Sequence, residues 1–306
     1  MLTDKQIIRP AAIGPSGTIG IAAPAGAFDH ERFRRGVAVL EHMGFKVRVP
    51  PGVFEKTRYL AGSDEHRAAC LHDLFRDPAV EGILCARGGF GSLRILELLD
   101  FELIGNNPRV VAGFSDVSVL LAAILKKTGL VTFHAPVITS LAEAGPATRE
   151  ALLTAFTSQT LIEYRAAGPV ITGGRASGFV CGGNLASLCH LVGTPFQLDC
   201  AGGLLFLEDI NEPAYRVDRM LTQMRLAGAL DKVAGVLLGR FTNCGHNRVI
   251  HEIVREHVGG DIPLLAGLAA GHEGRNLTLP LGLKATMDAE QGTLRYDGPA
   301  VMAGDG

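Results

Sequence analysis

Apolar positions in the first half of the chain fall into short runs separated by stretches with helical spacing. Thr18 to Ala23 is an apolar strand that stops at Pro24, and helical spacing follows from about Asp29 to His42. Phe45 to Val49, Val80 to Ala86, Arg109 to Gly113 and Leu130 to His134 continue the strands. Between or after them, Asp64 to Phe75, a stretch through Leu99, Asp116 to Lys126 and Thr148 to Phe156 read as helices. This rhythm predicts an open, doubly wound α/β unit built on a parallel sheet. Such a sheet binds ligands beyond the carboxyl ends of its strands, which is where Gly88-Gly89 and Ser115 fall.

The pattern changes around Ser158 to Gly174, where Leu161 to Tyr164 and Val170 to Thr172 are short and rich in turn residues. We expect a first domain over 1–157, a crossover over 158–175 and a smaller β-rich domain over 176–306. In the last, Gly182-Gly183-Asn184 heads a helix to Val192, and the apolar strand Leu204 to Leu207 ends just before Glu208. A helix from Pro213 to Leu226, a strand from Val233 to Leu238, a helix from Arg248 to His257 and a hairpin strand Thr293 to Tyr296 follow.

Composition narrows the function without naming it. With 306 residues, 47% hydrophobic and 20% charged, the chain is globular, and its net charge of -2 gives no electrostatic footprint for nucleic acid or an anionic membrane. Met1 to Pro24 lacks a basic segment leading into an apolar one, and no apolar run approaches the roughly 20 residues of a membrane helix, so the expected location is the cytoplasm. Cys70, Cys85, Cys181, Cys189, Cys200 and Cys244 lack CxxC spacing, which suggests buried thiols rather than zinc ligands or a disulfide framework. His251 and His257 are six apart, too far round a helix to share a metal as HExxH does.

The bend at Ser115 carries two readings. Its hydroxyl can cap the helix that follows, or it can be an acyl-transfer nucleophile lifted off the sheet at a helix N-terminus. On this stretch alone the cap reading leads. Nucleophilic catalysis needs a base and a group that orients it, and Glu208 after its strand and His272 in the small-residue loop Leu268 to Gly274 supply that pair. Gly88-Gly89 could bring backbone N–H groups to an oxyanion, with the N–H of Asp116 as a second donor. The Arg87 to Gly91 loop departs from GxGxxG and no P-loop lysine follows, which argues against a nucleotide site. Cys85 sits in an apolar run with no bend, as a structural thiol would. Arg87 is either a substrate-binding cation or a structural ion-pair residue.

Several separated motifs share one family likeness. Arg87-Gly88-Gly89-Phe90-Gly91, Gly113-Phe114-Ser115-Asp116, Gly182-Gly183-Asn184-Leu185, Leu207-Glu208-Asp209, Glu212-Pro213 with Tyr215-Arg216, and Gly271-His272 with Asn276 to Gly282 together resemble the LD-carboxypeptidase family of serine peptidases. The likeness runs from about Gly17 to Tyr296. It implies a Rossmann-like, flavodoxin-like N-terminal domain with a smaller C-terminal one, a homodimer, and a Ser-Glu-His triad of Ser115, Glu208 and His272. It also implies oxyanion N–H groups from Gly88 or Gly89 and Asp116. The implied reaction removes the terminal D-alanine of murein tetrapeptides in cell-wall recycling, with no cofactor or metal. Phe90 stands where the family often has tyrosine, which removes any hydroxyl role there. Two alternatives remain: the family branch that cuts aminoacyl-nucleotide amides of the microcin C type, and a two-lobed protein that binds muropeptides or amino acids without cutting them.

Overall fold

A computed structural model of the chain describes residues 6–304, so the outermost residues of the first and last expected domains lie outside it. The first half builds strands β1 (Thr18–Ala22), β2 (Lys46–Arg48), β3 (Val80–Cys85), β4 (Val110–Gly113) and β5 (Thr132–His134). Helices α1 (His30–His42), α2 (Asp64–Arg76), α3 (Ser92–Ile95), α4 (Phe101–Asn106), α5 (Ser118–Thr128), α6 (Ile138–Leu141) and α7 (Pro146–Thr157) cover them. Local chemistry sets the ends of these helices. Asp29 and Ser63 cap α1 and α2 by accepting from the N–H groups of Arg32 and His66, and α5 stops at Gly129 in the left-handed conformation.

The second half contributes β6 (Glu163–Arg165), β7 (Val170–Thr172), β8 (Arg175–Asn184), α8 (Leu185–Cys189), β9 (Leu204–Ile210), α9 (Ala214–Leu226), β10 (Gly235–Thr242) and α10 (Asn247–Val258). It ends in β11 (Leu264–Ala266), β12 (Leu279–Leu281), β13 (Lys284–Asp288) and β14 (Thr293–Tyr296). Two mixed sheets result, in the orders β12-β5-β4-β3-β1-β2 and β6-β14-β13-β8-β9-β10-β11-β7. The first is parallel from β2 to β5 and takes β12 antiparallel at its edge, so a strand from late in the chain completes the sheet that carries Ser115. The second keeps a parallel core from β8 to β11, with antiparallel strands at both flanks. Among the described residues no helix is long and apolar enough to cross a membrane.

Three local expectations change. Strand β9 does not end before Glu208: it runs on to Ile210 because β8 and β10 continue the ladder beside it, with Asn184 in register with Glu208. The helix expected through Leu99 breaks into α3 and a 3-10 turn over Leu96–Leu98. Cys181 and Cys200 form a disulfide with Cα atoms 6.2 Å apart, a pairing that spacing could not reveal because the fold brings β8 beside the approach to β9.

A buried arginine that the pattern gave no sign of braces the carboxyl end of the first sheet. Arg67 in α2 donates to the Pro24 carbonyl just past β1 and to the Gly91 carbonyl at 2.8 Å, and pairs with Asp64, which also holds Arg94. Its side chain is fully buried, so removing it leaves the Pro24 and Gly91 carbonyls without their donor, while Asp64 keeps Arg94. We expect Arg67→Ala to lower unfolding free energy by about 2–4 kcal/mol in urea titrations, from the two carbonyls left without a donor; a loss within experimental error would contradict this bracing role.

Candidate active site

Ser115 sits at φ 63°, a left-handed conformation that costs a non-glycine residue on the order of 1–3 kcal/mol and is kept where the surroundings enforce it. It opens a 3-10 turn over Ser115–Val117 that leads into α5, and the residue capping that turn is Phe114, with no side-chain cap hydrogen bond. The cap reading of Ser115 therefore falls away. The bend holds the half-buried hydroxyl at the carboxyl end of β4.

The glycine loop after β3 lies directly over that hydroxyl. A Cβ on Gly88 would stand 2.8 Å from the Ser115 Cβ and 3.0 Å from its Oγ, so only glycine lets this backbone come so close. The loop is held from two sides: the Asp116 carboxylate accepts from the Ser92 N–H at 2.8 Å, and Gly26 donates to the Gly88 carbonyl at 3.2 Å. Asp116 is buried, and its side chain fixes the loop whose backbone faces its neighbour Ser115. Arg87 is exposed, and its guanidinium donates to the Ala27 carbonyl, so it joins the loop to the segment after β1.

Glu208 and His272 meet. The His272 Nδ1 lies 2.8 Å from the Glu208 Oε2, with the carboxylate fully buried and the imidazole 14% exposed. The His272 ring packs 4.7 Å from that of Phe114, the residue before Ser115. His272 lies on the segment between β11 of the second sheet and β12 of the first, so the chain crosses between sheets at this residue. Asn276 steadies the crossing: its Oδ1 accepts from the Gly271 N–H at 2.9 Å, and its own N–H donates to the Thr148 hydroxyl of α7 at 3.1 Å.

A second tie joins the bend to the strand of Glu208. The Ser118 hydroxyl accepts from the Asn184 N–H at 3.0 Å, and the Asn184 amide donates to the Asp209 carboxylate at 2.9 Å. Burial pushes the Asp209 carboxyl up to about 6. The Gly182-Gly183-Asn184 motif thus acts as a joint between the bend and β9. Spacing did not show that role, nor those of Asn276 and Thr148, because the Asn184–Ser118 and Asn276–Thr148 bonds join residues more than 60 apart in the chain.

Cys85 is fully buried and burial pushes its thiol up to about 12, which leaves it inert. His257 pairs with Asp218 at 2.7 Å instead of turning toward His251, and among the described residues no three His, Cys, Asp or Glu groups are placed to hold a metal ion.

His134 was not singled out by the sequence pattern, although its place at the end of β5 was a usable signal. It is fully buried, with its ring 5.8 Å from Phe114 and 4.8 Å from Phe206, and burial pushes it down to about 4. The folded protein thus keeps this ring neutral where the unfolded chain protonates it, so its cost to stability is absent above the ordinary value of 6.5 and grows as pH falls toward 4. Relative to a ring-preserving His134→Phe variant, the protein should lose about 3 kcal/mol of unfolding free energy between pH of about 7 and about 4. Parallel pH dependence of the two in denaturant titrations would contradict the buried neutral imidazole.

A serine at a left-handed bend under a glycine loop and, across the Phe114 ring, a histidine paired with a buried carboxylate are the kinds of group that acyl transfer by a serine requires. Residues 19–135 match the LD-carboxypeptidase N-terminal domain and residues 177–287 the LD-carboxypeptidase C-terminal domain. The probable murein peptide carboxypeptidase of Bacillus subtilis is 36% identical over 93% of this chain and 93% of its own length. The microcin C7 self-immunity protein MccF of Escherichia coli is 31% identical over 92% and 93% of the two chains. The crystal structure of muramoyltetrapeptide carboxypeptidase from Oxalobacter formigenes superposes with a TM-score of 0.82 at 30% identity, covering 91% of this chain and 97% of that one. The chain belongs to the LD-carboxypeptidase family.

Proposed function

We propose that this protein is a serine LD-carboxypeptidase that releases the terminal D-alanine of murein tetrapeptides. The observation that carries the reading is the buried Glu208–His272 pair at 2.8 Å, packed through Phe114 against a serine at φ 63° with Gly88 over its hydroxyl. In this reading His272 takes the Ser115 proton through its free ring nitrogen while Glu208 orients the ring and offsets the charge that develops on it. The Ser115 Oγ attacks the carbonyl of the third stem residue, and the resulting oxyanion is met by backbone N–H groups of Gly88 or Gly89 and of Asp116. His272 then gives its proton to the D-alanine nitrogen, the C–N bond breaks, and water releases the acyl group by the same route. In the same reading Arg87, next to the glycine loop, serves the stem peptide. The reading includes a cytoplasmic homodimer that works on recycled cell-wall fragments.

Murein-directed names among the relatives favour this substrate, as does the Glu212 to Arg219 segment, which resembles the murein branch. The Escherichia coli relative named for microcin C7 self-immunity keeps aminoacyl-nucleotide amides as the second reading. Incubating the protein with a mixed muropeptide pool and an aminoacyl-nucleotide amide, read by mass spectrometry, separates the two. We expect D-alanine release from tetrapeptides, unaffected by chelators and reduced at least about a thousandfold in Ser115→Ala. Turnover retained by that variant would overturn the nucleophile, and loss in chelator would restore a metal.

A further inference from the structure

Two small cavities, one touching Phe114 before the bend and the other Arg87 before the glycine loop, differ in what they can hold. One, of about 150 Å³, is walled by Phe114, Pro136, Ala144 and His272, with Arg32 reaching it from α1 and Glu143 beside it. The other, of about 230 Å³, lies between Phe28, Phe54, Lys56 and Arg87, and His272 is not among its walls.

We propose that the cavity beside His272 is the subsite of the leaving residue, in which Arg32 holds the C-terminal carboxylate of a small D-amino acid. The assignment rests on the carboxypeptidase reading above, because the group that protonates the leaving nitrogen must face the residue that departs. Its volume is below the roughly 300–1,000 Å³ of pockets that engulf larger ligands. Phe114, Pro136 and Ala144 offer apolar wall to a methyl side chain, and a bulkier residue would meet them.

Among the described residues Arg32 is the one cation in the lining, and its carboxylate partner has a second arginine. Glu143 is approached by two arginines, Arg32 at 3.2 Å and Arg35 at 3.8 Å, while Glu273 has Arg240 at 3.9 Å. Arg32 lines the cavity together with Glu143 and Glu273, while Arg35 and Arg240 stand outside the lining and keep a cation beside each of those carboxylates when Arg32 turns to a ligand. The Arg32–Glu143 pair is half exposed on both sides, so turning Arg32 from Glu143 to a ligand costs little. Its backbone is fixed in the first turn of α1 by the Asp29 cap at 2.7 Å. Gly36 lets the same helix back onto α6, since a Cβ there would stand 2.0 Å from the Ile138 carbonyl oxygen. A guanidinium held this way presents paired N–H donors that suit a carboxylate better than they suit a neutral amide.

The test compares a tetrapeptide ending in free D-alanine with its D-alaninamide counterpart. The wild type should prefer the free acid. Arg32→Ala should lose at least about tenfold in kcat/KM on the acid, mostly through KM, with little change on the amide, and Arg32→Lys should recover part of the loss. An Arg32→Ala protein that keeps the wild-type acid-to-amide ratio would overturn the subsite, as would erasure of that ratio by Arg87→Ala alone. If the wild type cleaved the last peptide bond of neither peptide, releasing neither D-alanine nor D-alaninamide, the carboxypeptidase reading would fall and take this subsite with it.

Discussion

The structure depends on one constraint: an imidazole carried between two sheets must be held against Phe114, the residue before Ser115 on the first sheet. The 2.8 Å pair between His272 and the buried Glu208 anchors the imidazole to the second sheet. Strand β12, which follows His272 and joins the edge of β5, anchors the same segment to the first. Asn276 and Thr148 tighten the crossing, and the bond from Asn184 to Ser118 ties the bend to the far end of β8. Polar groups in these ties are buried, where an unmade hydrogen bond costs far more than a made one gains. The sheets are therefore fixed relative to each other by the same bonds that assemble the site.

Much of this was legible from the chain alone. The strand-helix rhythm predicted the parallel first sheet, and the bend residues around Ser115 predicted the turn whose left-handed backbone the structure confirms. Strand ends drew attention to Gly88, Glu208 and His272, since parallel sheets bind ligands there. Local spacing could not say that Glu208 lies inside its strand, because the neighbouring β8 and β10 extend the ladder. It could not show Arg67, whose hydrogen-bond partners come from the ends of other elements, nor the disulfide between Cys181 and Cys200. In each case the missing information is a contact between residues distant in the chain.

Burial shapes the chemistry around the pair as much as direct contact does. Burial pushes His134, beside Phe114, down to about 4, so it adds no positive charge near His272 at neutral pH. Glu208 is thus left to answer the charge that a proton on His272 would bring. Asp209, its neighbour in β9, faces Asn184 and the start of α8 and serves the joint instead. Adjacent carboxylates on one strand point to opposite faces, which lets one orient a histidine while the other holds Asn184, whose N–H reaches the Ser118 hydroxyl.

The central claim is that Ser115 gains its nucleophilicity from the Glu208–His272 pair. Labelling with a serine-reactive fluorophosphonate, followed by peptide mapping in a mass spectrometer, tests it most directly. The account predicts one adduct, on Ser115, formed by the wild type and slowed by at least about a hundredfold in a folded His272→Ala variant. An adduct on another serine, or equal labelling of Ser115 without His272, would contradict it.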